Sequence, residues 1–121
     1  MCIRDRAWPD DPALVCAAHA HGARVVLAAP RPEAALTPNA TARAAWVAAA
    51  VRAVRASFTD GLTFDWEAPC AWGAPAQHWY AVLIAEARAA LRALSPSYQV
   101  SVCVAWSPDN IDGRGLSLIH I

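Results

Sequence analysis

The sequence predicts an α/β chain, a fragment of a (β/α)8 TIM barrel carrying about three consecutive strand and helix units. Three observations predict it. Helical and strand-like segments alternate along the chain, the order that produces a parallel sheet. Two of the strands carry a bulky apolar face and a small or polar face, whereas the strands of an open doubly wound sheet are covered on both sides and read as nearly unbroken apolar runs. Two acidic residues, Asp65 and Glu67, close one strand at its C-terminal end, where a barrel of this kind builds its active site.

The elements follow in order. Asp11-Pro12 opens a short helix reaching His21, and Gly22 stands where a helix C-cap belongs. Residues 23–28, rich in branched apolar side chains, make the first strand, and Pro30, Pro32 and Pro38 mark the loop after it. A second helix starts near Asn39 or Thr41. It turns Trp46, Val47, Ala50, Val51 and Val54 to one face and Arg43, Arg52 and Arg55 away from it. Pro75 suits the first turn of a third helix. Its apolar face holds Tyr80, Leu83, Ile84, Ala87, Leu91 and Leu94, with Glu86, Arg88 and Arg92 outside. Residues 99–106 form the last strand, with Val100, Val102, Val104 and Trp106 on one face and Ser101, Cys103 and Ala105 on the other.

Between the second and third helices lies Asp60-Gly61-Leu62-Thr63-Phe64-Asp65-Trp66-Glu67. Strand alternation sends Thr63, Asp65 and Glu67 to one side and Leu62, Phe64 and Trp66 to the other, which makes Trp66 a core residue facing away from the acids. Carboxylates are depleted from strands. Two of them at roughly 6 to 7 Å, the strand's own period, hinder each other's ionisation and so leave one protonated acid available for proton transfer.

Both ends of the chain look foreign to it. Residues 1–5 and 116–121 can be read from reverse complements of one another, as a sequencing-library adapter translated in frame would be. Residues 1–6 and 116–121 are therefore expected to be adapter-derived tails around a partial catalytic barrel at 7–115. A barrel missing about five of its eight units is expected to be inactive and poorly folded on its own. The interior is rich in Ala and contains Arg but no Lys; ten basic and ten acidic side chains balance to a formal charge of zero, which gives no electrostatic case for nucleic acid or a membrane surface. No apolar run approaches the roughly 18 residues of a membrane span. Cys16, Cys70 and Cys103 lack the spacing of a zinc site and read as buried small hydrophobes. His19 and His21 flank a helix end, where positive charge suits the dipole better than a metal role. Neither metal nor cofactor is expected.

The motif Asp60-x-x-Thr63-x-Asp65-x-Glu67, preceded by Phe58 and including Gly61, resembles the Asp-x-x-Asp-x-Asp-x-Glu signature of glycoside hydrolase family 18. Residues 19–27 and 104–112 are similar to flanking segments of its chitobiase branch. The resemblance implies that Glu67 donates a proton to the glycosidic oxygen, and that Asp65 orients the substrate's 2-acetamido group, which acts as the nucleophile. It further implies an N-acetylglucosamine-containing oligosaccharide as substrate and a lysosomal or secreted setting. Thr63 departs from the usual Asp or Asn; its hydroxyl can still donate one hydrogen bond to Asp65. Asp60 reads as a supporting residue at the strand entrance and Trp106 as a platform for a sugar ring. Trp46 and Trp79, on helices, read as packing residues, and Trp72 follows the acid in the next loop. Asn39-Ala40-Thr41 reads either as a helix N-cap or, in a secretory protein, as a glycosylation sequon. The alternative to an enzyme is a lectin of the same fold; a nucleotide-binding doubly wound domain would need a glycine-rich phosphate loop, and none is present.

Overall fold

The computed structural model describes residues 11–68, 70 and 73–103. Helix α1 (Pro12–Ala20) is followed by strand β1 (Leu27–Ala28), a single 3-10 turn (Glu33–Ala35), helix α2 (Ala40–Ala56), strand β2 (Gly61–Phe64), helix α3 (Pro75–Leu94) and strand β3 (Gln99–Val102). The strands form one parallel sheet in the order β1-β2-β3, with Leu27 opposite Leu62 and Leu62 opposite Val100. Helices α2 and α3 each carry the chain from one strand to the next, the connection a parallel pair requires.

Local chemistry sets the helix ends. The Asp11 side chain accepts from the Leu14 N–H at 3.0 Å, Pro12 fills the first turn, and Gly22 continues past the end of α1 at φ +69°. Asn39 Oδ1 accepts from the backbone of Thr41 (3.0 Å) and Ala42 (3.2 Å), so this side chain serves as the N-cap of α2.

A single core joins both helices to one side of the sheet: Val47, Ala50 and Val54 from α2, Tyr80, Leu83, Ala87 and Leu91 from α3, and Leu27, Leu62 and Phe64 from the strands. Each such Leu, Val or Phe contributes about 1.5–3 kcal/mol by leaving water. Thr63, in register with Ala28 and Ser101, projects to the opposite side. Val15 and Val25 make a small separate cluster that seats α1.

Several expectations are corrected. The first strand is two residues long rather than six, although Val25 and Val26 are buried as well, because Val25 is held by Asp60 instead of by a regular ladder. Arg43 does not face away from the α2 core. It is buried between the helices, its Nε donating to both Glu86 oxygens (3.0 and 3.1 Å), its Nη1 to the Thr37 carbonyl (2.7 Å), and its guanidinium lying 5.0 Å from the centre of the Trp79 ring. A buried guanidinium needs such partners, and its planar fork fits a carboxylate in two places. Glu86 is accordingly half-buried rather than outside. Of the three cysteines among the described residues, Cys70 is buried, whereas Cys16 and Cys103 are exposed. Among the described residues no helix is long and apolar enough to cross a membrane.

Candidate functional site

The sheet ends open onto a cavity of about 330 Å³. Residues 29–33, which follow β1, form one wall; residues 64–68, which follow and include the end of β2, form another; Tyr80 of α3 completes the lining. This is the C-terminal edge of a parallel sheet, where α/β proteins place ligands because successive strands release their loops there.

Asp65 and Glu67 both line the cavity, and both are exposed. They do not stand on the strand. The ladder stops at Phe64, whose carbonyl accepts from Cys103 at 2.8 Å, so the acids lie on the extension beyond it. The strict alternation expected of residues 60–67 therefore holds only as far as Phe64. Trp66 packs against the core as expected, yet it also lines the cavity between the two acids. Its ring centre is 5.2 Å from that of Tyr80, and its indole Nε1 donates to Glu33 Oε1 at 3.3 Å.

Thr63 is buried on the sheet, and among the described residues its hydroxyl makes no hydrogen bond to Asp65. Asp60 sits at the other end of β2, away from the cavity. Its Oδ2 accepts from the Val25 N–H at 2.7 Å and pairs with His19 Nε2 at 2.8 Å, fastening α1 and the approach to β1 onto β2. Trp106, Trp72 and the segment 104–112 lie outside the described residues. Among the described residues no group of three or more His, Cys, Asp or Glu side chains is placed to hold a metal ion.

Three cavity residues escaped the sequence reading: Arg31, Glu33 and Tyr80. Glu33 is the first acidic residue after the end of β1, and proximity to a strand end was a usable signal. Tyr80 is the sole hydroxyl-bearing residue on the apolar face of its helix. Its side chain is fully buried, and its hydroxyl lacks a hydrogen-bond partner among the described residues. Burial raises its pKa from 10.0 to about 12; the nearby Trp66 backbone pulls the other way, and the charge of Asp65 adds to the rise.

That shift has a measurable consequence. Because the folded value lies above the unfolded one, stability attached to the neutral phenol is complete below pH 10 and is lost as pH climbs through 12, an amount on the order of 2–3 kcal/mol. Tyr80→Phe is expected to remove this alkaline loss at little cost near neutrality, since among the described residues the oxygen it deletes has only the Trp66 backbone close by and no well-formed hydrogen bond. Alkaline unfolding followed by circular dichroism checks it; an unchanged alkaline midpoint contradicts it.

Ionised carboxylates accept hydrogen bonds and do not donate them. Glu33, Asp65 and Glu67 therefore offer acceptors to a ligand's hydroxyl or amide donors, beside the indole of Trp66 and the guanidinium of Arg31 on the same cavity. No protein-family model matches the chain. The chain is similar to di-N-acetylchitobiases. It is 38% identical over 101 residues to the Dictyostelium discoideum protein named probable di-N-acetylchitobiase 2, covering 84% of this chain and 26% of that protein. It is 35% identical over 106 residues to mouse di-N-acetylchitobiase, covering 86% and 28% respectively. With the bovine protein of the same name it shares 40% identity over 76 residues, 63% of this chain and 43% of that one. The chain thus spans about a quarter of the length of the first two relatives.

Proposed function

We propose that this chain is a portion of a longer glycoside hydrolase of family 18, and that residues 7–115 belong to its (β/α)8 catalytic barrel. The protein would hydrolyse β-1,4 bonds between N-acetylglucosamine units, in the chitobiose core of glycoprotein glycans or in chitin oligosaccharides. The observation that carries this reading is the placement of Asp65 and Glu67 together on one cavity at the C-terminal edge of the parallel sheet. The names of the similar proteins support the substrate class.

In this mechanism the Glu67 carboxyl gives its proton to the glycosidic oxygen as the C1–O bond breaks. The acetamido carbonyl oxygen of the same sugar attacks C1 and forms an oxazolinium ion, whose positive charge Asp65 stabilises. The Glu67 carboxylate then takes a proton from water, and that water opens the ring at C1 from the face the leaving group vacated. Two inversions give net retention, and one carboxyl group acts first as acid and then as base. No carboxylate nucleophile is required. Trp106 would supply a sugar platform, no cofactor takes part, and a lysosomal or secreted location fits the same family.

One observation favours a second reading, sugar binding without turnover: the residue two before Asp65 is a buried Thr63, which can neither hold a charge nor offer an amide. The two readings separate in a single assay. The full-length protein carrying this segment is expected to release N-acetylglucosamine from chitobiose, with the β-anomer appearing first by proton NMR. Binding without release would establish the lectin instead, and a first-formed α-anomer would exclude substrate assistance.

A further inference from the structure

We propose that Glu33 is a positioning residue, holding the acid-bearing segment in place through the indole N–H of Trp66. This inference rests on the catalytic reading of Asp65 and Glu67 given above.

The argument begins with what holds residues 65–67. Sheet hydrogen bonding on this segment finishes with Ala29 N–H to the Thr63 carbonyl and Cys103 N–H to the Phe64 carbonyl, both 2.8 Å. Among the described residues, Asp65, Trp66 and Glu67 make no backbone–backbone hydrogen bond beyond these two ladders. The contacts that do hold this segment gather on Trp66, whose backbone faces the Tyr80 hydroxyl and whose side chain is anchored. Its ring lies on Tyr80, centre to centre 5.2 Å, and its Nε1 reaches Glu33 Oε1 at 3.3 Å. Since Trp66 lies between the two acids in sequence, any shift of its backbone moves both.

The anchor point is itself fixed. Trp46 of α2 donates its indole N–H to the Arg31 carbonyl at 3.2 Å, and the Ala35 N–H closes the 3-10 turn on the Pro32 carbonyl at 2.7 Å. Pro30 and Pro32 restrict the backbone on either side of Arg31. Glu33 is therefore presented from a braced loop to a segment that the sheet has released. Beyond the last ladder bond, the Trp66–Glu33 hydrogen bond ties the loop after β1 to the segment after β2.

The role calls for an acceptor oxygen at position 33 but no negative charge, and this makes it separable from a direct part in the chemistry. In the full-length protein, Glu33→Leu and Trp66→Phe are each expected to lower kcat on chitobiose by about tenfold or more, with KM changed by less than about twofold. Glu33→Gln, which keeps an acceptor oxygen, is expected to restore most of the rate lost in Glu33→Leu. The double variant Glu33→Leu with Trp66→Phe should be no slower than the slower single one, because both remove the same bond.

Amide hydrogen exchange gives a readout independent of turnover: residues 66 and 67 should exchange faster in Glu33→Leu and in Trp66→Phe, and as in the wild type in Glu33→Gln. A raised KM with unchanged kcat in Glu33→Leu would make Glu33 a sugar contact and overturn the proposal. So would an equal loss in Glu33→Gln, multiplying losses in the double variant, or unaltered exchange. Should the exchange pattern appear in a protein that does not cleave chitobiose, the positioning role stands and the catalytic reading fails.

Discussion

Alanine at position 61 is expected to prevent the sheet from forming. Gly61 opens β2 opposite Gln99 at φ +152°, and a Cβ built there falls 1.7 Å from the Gln99 carbonyl oxygen, 2.7 Å from its carbon and 2.8 Å from its nitrogen. All three atoms are backbone, so no side-chain rotation relieves the overlap. The obstructed residue is the one through which β3 pairs with β2; its N–H donates to the Asp60 carbonyl at 2.8 Å. Relief requires the two strands to part at the point where Asp60 also fastens Val25. An ordinary overpacked core costs about 1–3 kcal/mol. A backbone collision combined with a disfavoured φ belongs with the exceptional losses above about 4 kcal/mol, a large part of the 5–15 kcal/mol that a typical domain has. Gly22 provides the control: at φ +69° with nothing within 4 Å of an added Cβ, Gly22→Ala should cost only about 1–2 kcal/mol, the conformational penalty alone. Denaturant midpoints of the full-length variants test the pair. Equal losses at the two positions would show that the close approach at Gln99 is not maintained.

The same contrast explains what could be read in advance. A collision between two backbones is a tertiary fact, and residue 61 shows only that a glycine is present. Helices α2 and α3 were legible because each presents one apolar stripe at a period of 3.6 residues, and their caps, Asn39 and Pro75, carry their own chemistry. The parallel order of strands was legible from alternation alone. The closed barrel goes beyond the three described strands and remains part of the proposal.

What escaped was pairwise. Arg43 belongs to the polar set of α2 by type, and its burial follows from Glu86, forty-three residues later on another helix. Strand length escaped for a related reason: a ladder persists only while a neighbour matches it, so Asp65 and Glu67 pass beyond it despite continuing the period-2 pattern. Phe58 illustrates the limit of motif reading. It stands before the acidic motif, 77% exposed at φ +54° in the turn from α2 to β2, a conformation no local propensity of phenylalanine would suggest. The acids themselves were found because carboxylates at a strand end contradict strand propensity. Glu33 was not, since an acidic residue in a loop contradicts nothing.

Glu67→Gln is expected to reduce turnover of chitobiose on the order of 10⁴-fold while leaving the dissociation constant within about threefold. The size follows from the double use of one group. Proton donation to a leaving oxygen is worth about 10²–10⁴, and the amide can neither donate that proton efficiently nor recover one from water in the second half of the cycle. Binding is spared because glutamine has nearly the shape of glutamate and still offers an oxygen to sugar hydroxyls. Asp65→Asn should lose less, about 10²–10³-fold, since an amide can still orient the acetamido group but no longer balances the developing positive charge. Calorimetric titration with chitobiose beside quantification of released N-acetylglucosamine separates the two effects. Turnover within tenfold of the wild type in Glu67→Gln would transfer the acid role to another carboxylate, and Glu33 on the facing wall is the cavity carboxylate not already assigned to the acetamido group. The Glu33→Gln variant then decides between them: an acid at position 33 would lose its rate on becoming an amide, whereas an acceptor for the Trp66 indole would keep it.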